Sequence, residues 1–180
     1  MSMVSLQLEY ESAGADFDST RTYRYRLWRL WGGGSLTPWK TVLWIMLNPS
    51  TADEHVLDPT LRRCESFSRI WCYDGFEVCN VFPLRSPYPD SLYDHPDPGG
   101  PGCENDMAIL SAADRADCIV LGWGAQKVAR EPGRRLVRLL ADHGRLDLMC
   151  LKQNMDGSPV HPLYQSKKAI LRPYVYQHGS

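Results

Sequence analysis

A chain of 180 residues with 43% hydrophobic composition has the size and mixture of one ordinary globular domain with a single core. Its formal net charge of -1 excludes a molecule whose whole surface attracts nucleic acid, so any such contact must be a local basic patch. No apolar stretch approaches the roughly eighteen residues of a membrane span, and none of the six cysteines forms a C-x-x-C pair, which argues against a zinc ribbon or thioredoxin-type site.

Along the chain, residues 4–10 alternate and predict a strand, and the small, polar residues 11–20 predict a loop. Tyr23, Tyr25 and Leu27 alternate with Arg24, Arg26 and Trp28, as in a half-buried antiparallel strand with arginines on one face. Gly32-Gly33-Gly34-Ser35 lacks the Gly-Lys-Ser/Thr ending of a phosphate-binding loop and reads as a turn. From Thr41 the pattern changes. Thr41 to Leu47 is apolar on both faces, as in a strand covered on both sides. Asp58-Pro59 starts a helix carrying Leu61, Cys64, Phe67 and Trp71 at helical spacing, with Gly75 able to end it.

Phe76 to Phe82 is the next strand. Residues 83–103 hold six prolines and three glycines, a loop long enough to be a candidate lid. Glu104-Asn105-Asp106 opens a helix with acidic residues where the helix dipole favours them. Cys118 to Leu121 and Leu146 to Leu151 are strands, separated by a helix within residues 126–143 whose start is interrupted by Pro132-Gly133. Cys79, Cys118 and Cys150 lie in apolar runs as small core residues. Without a signal-peptide pattern, a reduced, cytoplasmic setting is the expectation.

Strand and helix alternate from residue 41, which predicts a three-layer αβα domain with a four-stranded parallel sheet. The expected organisation is an N-terminal β-hairpin extension over residues 1–35, an αβα core over 36–165 and a tail over 166–180. Right-handed crossovers bring the four strand C-termini to one edge, where open α/β sheets bind ligands. That edge collects Asn48, Pro49 and Ser50 with Asp53, then Asn80, Trp123 and His161, with Phe82 and Tyr164 nearby. Asparagine amides offer paired donors and acceptors, and aromatic faces offer stacking, a set suited to a nucleobase. Asp53 or Glu54 can accept a proton from water, and His161 can donate to a leaving group or phosphate. Arg62, Arg63 and Arg85 are the candidate phosphate contacts among the basic clusters. Neither His55 with Asp58 nor His95 with Asp94 and Asp97 has metal-ligand spacing, so no metal or other cofactor is expected. The absence of a G-x-S-x-G elbow argues against a serine hydrolase.

Six segments carry a family resemblance: Met46 to Asp53, Tyr73-Asp74-Gly75-Phe76, Asn80 to Arg85, Glu104-Asn105-Asp106, Gly122-Trp123-Gly124 and His161-Pro162-Leu163-Tyr164. In spacing and order they resemble the bacterial and phage family called domain of unknown function 1643, over roughly residues 20–165. More distantly, the plan resembles the uracil-DNA glycosylase superfamily, whose mismatch-specific members carry Gly-x-Asn-Pro-Gly after the first core strand. That resemblance implies that Asn48 positions the attacking water, that Asn80 reads the base and Phe82 stacks on it, and that Val160-His161-Pro162-Leu163 contacts the nucleic acid beside a flipped nucleotide. Ser50 stands where the motif has its second glycine, and no iron–sulfur cysteine pattern is present. The expected function is therefore recognition of a nucleobase in nucleic acid or a nucleotide, with hydrolysis of its N-glycosidic bond. A non-catalytic binding module and a hydrolase or transferase of free nucleosides or nucleotides are the alternatives.

Overall fold

The computed structural model describes residues 10–32, 38–50 and 56–176. In chain order its elements are strands β1 (Ser12–Phe17), β2 (Arg24–Leu30) and β3 (Thr41–Met46), helix α1 (Pro59–Ile70), strand β4 (Gly75–Asn80), helices α2 (Ser91–Asp94) and α3 (Glu104–Arg115), strand β5 (Cys118–Leu121), helix α4 (Arg130–Asp142), and strands β6 (Leu148–Cys150) and β7 (Arg172–Pro173). Short 3-10 turns occur at Lys127–Ala129 and Pro162–Tyr164.

All seven strands form one mixed sheet in the order β1-β2-β4-β3-β5-β6-β7. β4, β3, β5 and β6 run parallel to one another, while β1 pairs β2, β2 pairs β4 and β7 pairs β6 antiparallel. Where the sequence predicts a four-stranded parallel sheet with an N-terminal hairpin extension, the structure has one seven-stranded sheet, in which β1, β2 and the C-terminal β7 add to the parallel strands β4, β3, β5 and β6. The strand expected over residues 4–10 lies almost wholly outside the described residues. The strand that pairs with β2 is instead β1, in the segment expected to be a loop. Its small residues are a packing device, because Gly14 is paired with Trp28 and a Cβ there would come within 2.3 Å of the indole.

β3 sits at the centre, and all six of its residues are buried, as its unbroken apolar run predicts. The period of two divides them between two cores. Leu43 and Ile45 pack with Ile109 of α3 and with Leu136 and Leu140 of α4. Val42, Trp44 and Met46 pack on the other face with Leu61, Cys64 and Phe67 of α1. The result is three layers, with α1 on one face and α3 and α4 on the other.

α1 begins as its sequence dictates. Asp58 Oδ1 accepts the Leu61 backbone N–H at 2.8 Å, and Pro59 occupies a first-turn position where no intrahelical N–H is needed. Gly75 opens β4 rather than ending α1; its missing side chain lets Arg29 and Leu30 approach, since a Cβ would meet the Arg29 carbonyl oxygen at 2.8 Å. The chain leaves α1 instead through Trp71 and then Cys72, whose φ is 60°. α4 starts at Arg130, so Pro132 falls in its first turn, and Gly133 lies beneath the Trp123 indole. Cys64, Cys79, Cys118 and Cys150 are buried free thiols, and burial pushes Cys79 up to about 12. Among the described residues no helix is long and apolar enough to cross a membrane.

A crevice at the ends of the parallel strands

The C-terminal ends of the parallel strands open into a cavity of ≈ 650 Å³, within the size range of small-molecule sites. Its walls include Asn48 and Ser50 after β3, Asn80 at the end of β4, Trp123 after β5, and His161 and Tyr164 in the segment following β6. Six of the residues expected at this edge therefore share one crevice. Two glycines make the convergence possible. At Gly122 a Cβ would press on Met46 Sδ at 3.1 Å and Pro162 Cδ at 3.2 Å, so its absence lets the His161 segment close over the end of β3. Gly124, at φ +81°, turns the chain so that its N–H reaches the Pro159 carbonyl at 3.0 Å.

Asn48 is held by one end of its amide. Nδ2 lies 2.9 Å from the Ser86 carbonyl, 3.1 Å from that of Pro49 and 3.3 Å from that of Leu84. These contacts fix the amide plane and tie the turn after β3 to the turn after β4, where the Ser86 N–H also reaches the Pro49 carbonyl at 2.8 Å. Oδ1 makes no hydrogen bond among the described residues and is the group Asn48 can offer a ligand. Asn80 is 1% exposed, and its Oδ1 is buried with no hydrogen-bond partner among the described residues. A buried amide oxygen without a partner costs about 1–3 kcal/mol, a cost that a bound N–H donor would relieve.

His161 is half-buried. Its Nδ1 accepts the Leu163 N–H at 3.3 Å, which leaves the proton of the neutral ring on Nε2. Burial pulls its pKa below the ordinary value of 6.5, against the opposing pull of Asp58. The imidazole is accordingly neutral at physiological pH and presents an N–H donor. Tyr164, strongly exposed, lies 5.7 Å from it between ring centroids at the crevice mouth.

Two charged crevice residues escape a sequence reading. In the sequence Arg24 belongs to an arginine-bearing strand face that reads either as solvated or as a basic patch, yet it is 1% exposed and lines the cavity. Burial pulls its guanidinium down to about 10; Asp58 raises it and Arg85 lowers it further, so it stays cationic at neutral pH. Asp58 reads as a helix cap, which it is, but its carboxylate also lines the crevice. Asp53, the expected base, lies outside the described residues, as do Glu54 and His55.

Other expected site residues are placed elsewhere. Phe82 is buried in the α3/α4 core and lines a different cavity, so it does not face a ligand in the crevice. Trp123 contributes to the crevice wall, but its indole packs over Gly133 and lies 6.5 Å from Tyr174. Pro49 is buried and acts through its carbonyl oxygen.

The three candidate phosphate arginines brace loops instead. Arg62 Nε donates to the Leu57 carbonyl at 3.2 Å, Arg63 to that of Gln165, and Arg85 Nη1 to that of Arg21 at 3.0 Å. None of the three lines the crevice. The long 83–103 segment carries α2 and is pinned at Tyr23 Oη to Asp97 O (2.9 Å) and at the Val128 N–H to Tyr93 Oη (3.1 Å). Among the described residues no three His, Cys, Asp or Glu side chains cluster as metal ligands.

Fold and site together define an α/β protein with a crevice, walled in part by polar side chains, at the carboxyl edge of its parallel strands. The family model described as protein of unknown function (DUF1643) matches residues 24–163, and the chain belongs to that family. The matched span contains Arg24, Asn48, Asp58, Asn80 and His161. No curated protein and no solved structure matches the chain.

Proposed function

We propose that the crevice binds a nucleobase-bearing substrate and hydrolyses its N-glycosidic bond, in the manner of the uracil-DNA glycosylase-like superfamily. The observation that carries this reading is Asn48: an amide clamped through Nδ2 by three backbone carbonyls, with Oδ1 left to orient a water. An Asn-Pro turn directly after the first of four parallel strands, in the order β4-β3-β5-β6, supports the same kinship.

In the proposed step the water oxygen attacks the anomeric carbon as the bond to the base nitrogen breaks. The bonding pair leaves with the base, and positive charge develops on the sugar. Asp58, the carboxylate of the described crevice, takes the water proton and stabilises that charge. The Nε2–H of neutral His161 hydrogen-bonds the departing base anion. Asn80 reads the base edge, its oxygen taking a ring N–H. Tyr164 covers the mouth, and the Arg24 cation attracts the phosphate.

The engagement of Arg62, Arg63 and Arg85 in loop bracing favours a free nucleotide or a single strand over a duplex, which demands a basic face. The test is release of free base from nucleosides, nucleotides, and single- and double-stranded DNA bearing uracil, mismatched thymine or modified cytosine. Release from at least one, lost in Asn48→Ala, is expected. Ligand binding without release by the folded protein would identify a non-catalytic module instead.

A further inference from the structure

We infer that the α3/α4 face carries a second ligand site, for a planar heterocycle with a ring N–H and an anionic substituent. A cavity of ≈ 530 Å³ lies between the end of β4, the Gly99–Gly102 segment, α3 and α4. Its apolar surface comes from Phe82, Ile109 and Leu136, which suits a flat ring. Its hydrogen-bonding feature is Asn105 of α3, 8% exposed, whose Oδ1 is buried with no partner among the described residues. The orientation of this amide is fixed, because Nδ2 donates to the Asn80 carbonyl at 3.0 Å and the Val81 carbonyl at 3.4 Å. Only an acceptor is left, and the complement of an acceptor in an apolar setting is a ring N–H.

The charge at the rim sets the rest of the ligand. Asp106 is paired with Arg135, and Glu131 with Arg134. Arg138, which also lines the cavity, donates from Nη1 to Tyr176 Oη at 3.5 Å and has no carboxylate partner among the described residues. It is the cation left to meet an anionic group, by hydrogen bonds stronger than neutral ones. A hydrogen bond links a residue of one cavity to a residue of the other. Asn105 holds the backbone of Asn80, whose side chain lines the crevice, so a ligand drawn to Asn105 bears on the crevice through that hydrogen bond. This assignment does not depend on what the crevice catalyses.

Gly99 provides a clean way to block the site. A Cβ there meets only Asp97 Oδ1, at 3.8 Å, so Gly99→Phe fills the cavity without a clash at its root. Calorimetric titration of the wild-type chain with uridine 5′-monophosphate, guanosine 5′-monophosphate, orotate and inorganic phosphate is the experiment. A heterocyclic anion should bind, weaken roughly tenfold or more in Arg138→Ala, disappear in Gly99→Phe, and still bind in Asn80→Leu, the variant expected to empty the crevice. Binding of orotate with this pattern identifies heterocyclic acids, and binding of the nucleotides alone identifies nucleotides; either supports the site. It is overturned if none of the heterocycles binds, if inorganic phosphate binds as well as they do, or if binding survives Gly99→Phe and is lost in Asn80→Leu. Arg138 is exposed, so its variant keeps the question answerable should Gly99→Phe fail to fold.

Discussion

Two groups of buried charge lie on this sheet and are built differently. In the first, Glu77 of β4 is 5% exposed and is gripped by Arg26 Nε at 2.6 Å and Arg115 Nη2 at 2.9 Å. Both its oxygens are used, because Arg115 Nε also reaches Oε1 at 3.2 Å. In the second, around the crevice, Asp58 acts on both Arg24 and His161, while the buried oxygen of Asn80 has no partner among the described residues. The difference separates what holds the fold from what is kept ready for a ligand. Charge that a protein buries for stability is saturated with hydrogen bonds, whereas charge kept for binding stands beside groups that are not.

The largest effect should come from breaking the saturated group. Glu77→Ala leaves two arginines facing a buried gap and is expected to cost about 3 kcal/mol in urea unfolding, with base release unchanged. A cost below about 1 kcal/mol would mean that the network contributes no more than a surface pair.

The crevice should behave in the opposite way. Asn80→Leu removes a buried unsatisfied oxygen and is expected to raise stability by about 1 kcal/mol while abolishing ligand binding. Loss of stability there would show that the Asn80 amide is structural after all.

The smallest effects sharpen the comparison through pH. Burial raises the Glu77 carboxyl, but the hydrogen bonds and charge of Arg115 and Arg26 outweigh it and hold the group below its ordinary 4.5. Its stabilisation is therefore full above 4.5 and lost as pH falls through the lowered value. The lowered pKa of His161 acts at higher pH: the unfolded chain takes up a proton near 6.5 before the folded one does, so stability begins to fall as pH drops below 6.5. Chemical unfolding across pH should show both windows. The upper should vanish in His161→Gln and the lower should shrink in Glu77→Gln.

The same contrast explains what could be read from the chain. The run from Thr41 to Met46 places a doubly covered strand because burial on both faces leaves no polar alternation, and Asp58-Pro59 marks the start of α1 through its own capping chemistry. The strand ends follow from the alternation of strand and helix along the chain, and with them the shared crevice of Asn48, Asn80 and His161. β1 was illegible because Gly14 is small to accommodate Trp28, a cross-strand fact. Arg24 was illegible because a buried arginine looks like a surface one until the chain has closed around it. Phe82 was misplaced because two residues of turn after Asn80 send it into the other core.

The central claim is that Asn48 Oδ1 holds the water for N-glycosidic hydrolysis. Base release and substrate affinity should be measured side by side for the wild-type chain and Asn48→Ala. The expected result is a fall in turnover of about 100-fold or more with binding changed only severalfold. Turnover that survives in Asn48→Ala, or affinity that falls in step with turnover, would contradict it.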